Sequence, residues 1–207
     1  MELLRLYGTA PVGVIYQVRA ISPSTGVLFG DGFDGSSLGA GWTTVGGHWE
    51  QSGGVLRQTG LWDLGQNKAD VAGVALPTDV EVTARVRVDT WAGDDARVGV
   101  SLGDDAAGVG YDLVFHRDTD TVQFLHDYVA WGDSYAFAWR VGTWYRFRLR
   151  QSGGVLDGKV WEDGQAEPAS WMFRQEGWAP RSGAAGLTGG SYGGSTASFD
   201  DFAATGG

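Results

Sequence analysis

The chain has 207 residues, with no cysteine, 35 glycines, 43% hydrophobic and 19% charged residues, the composition of one globular domain and not of a disordered tail or coiled coil. A domain of this length buries about 70% of the surface its unfolded chain exposes, so neither a disulfide nor a metal is needed for stability, and thiolate chemistry is excluded. A formal net charge of −10 repels phosphate backbones and anionic lipid heads, which argues against nucleic acid as a partner.

Residues 1–27 contain two alternating apolar segments, LLRLY and VGVIYQV, around Gly8–Pro11, followed by a turn at Ser22–Gly26. This predicts an N-terminal β-hairpin. It fits equally a docking element appended to the main domain and a pair of edge strands added to its sheet. Glu2 and Arg5 fall inside what would be the apolar centre of a signal peptide, so the start reads as mature sequence. No apolar run is long enough to insert in a membrane.

Residues 28–207 form the second unit. Apolar residues recur at period two in Val80–Val88, Val98–Leu102 and Tyr145–Leu149, the signature of half-buried strands. Glycine and aspartate clusters punctuate them at roughly ten-residue spacing, and no amphipathic helix is present. The word QSGGVL occurs at Gln51–Leu56 and Gln151–Leu156, where paired glycines suit the two-residue turns of two hairpins. The glycine-rich stretch Ser182–Ser195 is expected to be a loop crossing to the last strand. The fold class is therefore all-β: an antiparallel two-sheet β-sandwich, or jelly roll, with an extra N-terminal β-hairpin.

Little catalytic chemistry is legible. His48, His116 and His126 lack zinc-ligand spacing, although His116 and His126 are placed to face each other across a hairpin. Asp79 and Glu81 share one strand face and read as a solvated edge, and no G-x-S-x-G word exists. Asp94–Asp95, Asp104–Asp105 and Asp118/Asp120 read as solvated acids at loop tips. The segment Asp127–Trp139 gathers Tyr128, Trp131, Asp133, Tyr135 and Trp139, and the WDLGQNK segment adds Trp62, Asp63 and Gln66, which makes both candidate recognition loops. Flat aromatic faces beside planar hydrogen-bonding groups suit saccharide recognition, and Tyr128, Trp131, Asp133, Tyr135 and Trp62 are the candidate ligand-binding residues. The same alternation, and that of Trp171–Trp178, equally suits aromatics that fill a sandwich.

From Leu28 the words LFGDGFDGSSLGAGW, HWEQSGGVL, GTWYRFRLR, VWEDGQAEP, SGAAGL and ASFDDF follow in order. Their succession resembles the concanavalin A-like lectin/glucanase jelly rolls, especially the laminin-G-like and keto-disaccharide-hydrolase-like branch, over about residues 28–204. The resemblance implies adjacent first and last strands, with Trp42, Trp49, Trp144 and Trp161 as core or strand-end aromatics. It also implies a structural calcium tying the two strands together, with Asp31 and Asp34 opposite Asp200. The E-x-D-x-x-E word of the fold's family 16 glycoside hydrolases is absent. What is implied is a non-catalytic carbohydrate-binding or surface-adhesion and assembly module on an extracellular surface or virion, a phage head-decoration or tail protein being one form. Its partner would be a glycan or a protein of that assembly. A glycan hydrolase whose residues meet only on folding, and a purely structural homo-oligomer subunit, are the alternatives.

Overall fold

The computed structural model describes residues 26–60, 66–91, 97–116, 120–177, 179–190 and 194–206. The N-terminal hairpin, up to residue 25, and Trp62 lie outside the described residues. In chain order the strands are β1 (Val27–Asp31), β2 (Trp42–Val45), β3 (Trp49–Ser52), β4 (Val55–Gln58), β5 (Lys68–Val71), β6 (Val80–Thr90) and β7 (Arg97–Asp104). They continue as β8 (Tyr111–His116), β9 (Thr121–His126), β10 (Val129–Ala136), β11 (Tyr145–Ser152), β12 (Val155–Glu162), β13 (Phe173–Glu176), β14 (Ala184–Gly190) and β15 (Thr196–Gly206). Among the described residues there is no helix, and none long and apolar enough to cross a membrane.

The strands form two antiparallel sheets. One has the order β13-β12-β11-β6-β15-β4-β3, with β1 also on β15; the other has the order β10-β9-β8-β7-β14-β5-β2. The alternation legible in the sequence sets the faces: Val80, Val82, Ala84, Val86 and Val88 of β6 are buried, while Glu81, Thr83, Arg85 and Arg87 between them are half-exposed. Both QSGGVL words turn hairpins, β3–β4 and β11–β12, with positive φ at Gly53, Gly54, Gly153 and Gly154. Strand β15 lies along β6 on one side and pairs first β4 and then β1 on the other, so the first and last strands are neighbours, with Asp31 opposite Phe202.

One expectation is corrected by the packing. The glycine-rich stretch is not a loop over its first half: β14 runs through it as an inner strand between β5 and β7. Its glycines are what permit this, since a Cβ on Gly186 would overlap the Asp70 carboxylate and one on Gly189 would press on Gln58. Of the four tryptophans expected in the core or at strand ends, Trp42 is buried and Trp49 packs on Phe199, while Trp144 and Trp161 lie outside the core cluster, just before the start of β11 and near the end of β12. Val160 and Tyr145 take the inward positions next to them, and Trp144 lies beneath the guanidinium groups of Arg85 and Arg87 at 4.6 and 4.7 Å. That outer face carries its own charge lattice, in which Arg85 pairs with Asp163 and Asp200 and Arg148 with Glu81 and Glu167.

Candidate functional site

The least expected group in the molecule lies on the other sheet, on the face turned away from the sandwich core. Ala69 and Val71 of β5 point into the core, which turns Lys68 and Asp70 to the opposite face. The ladder then sets Asp70, Gly186, Ser101 and Asp112 in one row across β5, β14, β7 and β8. Asp104 joins them through a bulge: the register of β14 against β7 shifts between Ala184 and Ala185, where Gly103 takes a φ of +68°. In a regular strand Asp104 would share the inward face of Leu102, and the extra residue re-aims it. A Cβ on Gly110 or Gly186 would overlap the carboxylates of Asp104 and Asp70 respectively, so the two glycines leave the room these acids occupy.

All four charged groups are buried, Lys68 completely. Its Nζ lies 2.6 Å from Asp104 Oδ1 and 2.8 Å from Asp112 Oδ1. The turn after β7 closes over it: Asp105 Oδ1 accepts from the backbone N–H groups of Ala107 and Val109, and Gly108 packs near the lysine stem. Those two N–H groups hold the exposed Asp105 carboxyl below the usual range. Burial works against the Lys68 charge, but the two carboxylates outweigh it and hold the ammonium more firmly protonated than an ordinary lysine. Burial first, and then the adjacent Asp104 charge and hydrogen bond, push Asp70 up to about 8 against the pull of Lys68. Asp112 is pushed up to about 6, again chiefly by burial. One ammonium thus faces three carboxyls. Among the described residues no other side chain or backbone N–H reaches Asp70 Oδ1 or Asp104 Oδ2, and a proton held between the two side chains relieves their repulsion.

Asp70 and Asp104 line a pocket of about 420 Å³ where β2, β5, β14 and β7 end. Asp105 lies on its rim, and its remaining wall is small and mostly aliphatic: Thr43, Val45, Val71, Val74 and nearby alanines and glycines. The size falls within the range of small-ligand sites, and convergent polar groups on an apolar wall are their usual chemistry. Sequence reading missed this site. It took Asp104–Asp105 for a solvated pair, which holds for Asp105 alone, and the bulge that turns Asp104 inward leaves no mark beyond Gly103.

The residues expected to bind ligand are dispersed. Their segment is mostly an edge strand, β10, and not a loop. Trp131 and Tyr135 are half-buried against the core, Trp131 against Tyr111 and His126. Tyr135 packs on Phe173 and donates its hydroxyl to the Arg174 carbonyl, 2.6 Å away, which ties the edges of the two sheets together. Between them a register irregularity leaves Asp133 exposed. Tyr128 sits at the β9–β10 turn with φ +68°, its ring 4.5 Å from the Arg97 guanidinium. Trp139 is in the core, stacked on Phe115. His116 and His126 do not face each other, since His126 pairs with Tyr111 and His116 with Arg97.

The acids expected to hold calcium are engaged elsewhere. Asp31 accepts from the Phe33 backbone N–H and from the Trp42 indole at 2.7 and 2.8 Å. Asp200 pairs with Arg85 and accepts the Asp201 N–H, while Asp34 is exposed. Phe29 and Phe202 pack on Trp42 inside the sandwich, so Asp31 reaches inward whereas Asp200, on Arg85, faces outward. Both oxygens of Asp31 and of Asp200 already accept hydrogen bonds, which does not fit the oxygen-rich shell calcium requires. Among the described residues no three His, Asp or Glu side chains gather as metal ligands.

No protein-family model and no curated protein matches the sequence. Solved structures do match the fold. The carbohydrate binding module CBM66 from Bacillus subtilis superposes with a TM-score of 0.61 at 18% identity, over 80% of this chain and 95% of that one. A seed lectin from Lotus tetragonolobus gives 0.62 at 8% identity, over 82% and 94%. A GH43 protein from Bacillus licheniformis gives 0.64 at 14% identity over 86% of this chain, which spans only 39% of that protein. At these identities the likeness is one of architecture: a concanavalin A-like, lectin-type jelly roll.

Proposed function

We propose that this chain is a non-catalytic saccharide-binding module, of the kind that attaches a surface or an assembly to glycan, and that the Asp70–Asp104 pocket is its site. The observation that carries the reading is a pocket in a lectin-type sandwich that sets two buried carboxyls against an aliphatic wall. Carboxyl oxygens accept from sugar hydroxyls, and the valine side chains suit the apolar C–H face of a sugar ring. The same geometry speaks against glycoside hydrolysis there. A retaining pair needs its carboxyls about 5 Å apart to flank the bond, whereas Asp70 and Asp104 are in hydrogen-bond contact and Asp104 is held by Lys68.

The test is a glycan array followed by calorimetric titration of the best-bound glycan against wild type and Val74→Trp. Val74 is 44% exposed on the pocket wall, so the indole fills the cavity without entering the core. At least a tenfold loss of affinity in the variant is expected. Unchanged affinity, or no glycan bound by the wild type, overturns the proposal.

A further inference from the structure

We infer that the pocket selects uncharged saccharides and refuses those bearing carboxylates, an inference that rests on the binding reading above and adds the ligand class. Among the described residues its lining contains Asp70, Asp104 and Asp105 and no lysine or arginine. Lys68, the cation within the cluster, is sealed from solvent and spent on Asp104 and Asp112. Arg181, whose charge reaches Asp105, directs its guanidinium to Asp127 at 2.7 Å and over the Tyr111 ring. A uronate or sialate entering this space would meet carboxylates and no counter-charge, and like charges brought together at a desolvated contact are strongly disfavoured. Hydroxyl groups are matched instead. The pocket offers carboxyl acceptors, of which the Asp105 side chain on its rim is exposed. A neutral sugar supplies hydroxyl donors to such oxygens, and a carboxylate supplies none.

The experiment uses the full chain on an array of neutral, uronate-terminated, sialylated and glucosamine-terminated oligosaccharides. It includes Ala106→Lys, which places a cation on the pocket rim at an exposed position. Neutral glycans are expected to bind at least tenfold more tightly than their uronate counterparts, and Ala106→Lys is expected to narrow that ratio by raising uronate binding. Binding of uronate or sialylated glycans as tight as neutral ones, abolished by Val74→Trp, would leave the saccharide site standing and overturn the selectivity. Binding of glucosamine-terminated glycans alone would overturn it in favour of a cation site. Absence of binding to every class removes the saccharide reading and this inference with it.

Discussion

Replacing Lys68 by methionine tests the charged cluster most directly. The side chain keeps its length and apolar stem but loses the ammonium that lies 2.6 Å from Asp104 and 2.8 Å from Asp112. Both acids are buried, so neither can recover the lost partner from solvent, and breaking a buried pair on one side costs about 3–5 kcal/mol. For a domain of this size each kcal/mol lowers Tm by about 2–4 °C, so Lys68→Met is expected to melt roughly 6–20 °C below wild type at pH 8. The sign of the pH dependence follows from the carboxyls. Once Lys68 is gone, protonating Asp112, which burial already pushes up, removes uncompensated charge, so the deficit shrinks as pH falls from 8 towards 4. Differential scanning calorimetry of both proteins across this range measures it. A deficit under about 2 °C, or one independent of pH, would refute the view that the ammonium holds the cluster together.

Asp70 is pushed up to about 8 and Asp112 to about 6 from an unfolded value of 3.8, so the folded state binds these protons more tightly. Stability should therefore fall as pH rises from about 4 to about 8, and Asp70→Asn should remove most of the slope above about pH 6, as read from urea titrations. A slope unchanged in the variant would contradict the assignment. Gly186→Ala places a methyl group against the Asp70 carboxylate and the Ala69 carbonyl and should cost about 1–3 kcal/mol, whereas Gly39→Ala, with open space around it, should stay within about 0.5 kcal/mol in the same denaturation assay. Trp131→Ala should lower stability by about 2 kcal/mol through its lost packing on Tyr111 and His126, while leaving glycan affinity unchanged. Lost binding with unchanged stability would return the site to β10.

The architecture was legible because it rests on local rules. Period-two alternation in β6 and β11, glycine pairs at two hairpins and the order of the aromatic and glycine words all point to a lectin-type sandwich, and the adjacent first and last strands follow from it. The candidate site was not legible, because its members are separated by 36 residues between Lys68 and Asp104 alone and their meeting depends on ladder register. A single bulge at Gly103 decides whether Asp104 faces the core or the pocket, and the glycines of β14, which read as a loop, are what allow an inner strand to run beside Asp70. The aromatics of β10 left two readings open for the related reason that composition does not state direction: the same Trp131 and Tyr135 that would stack on a sugar from a loop pack against the core from an edge strand. Sequence by itself determined which residues alternate and where the chain turns, since these depend on near neighbours and backbone stereochemistry. Only the tertiary structure decided which charges share a buried cluster, because register, bulges and strand order bring together residues between which no local interaction acts.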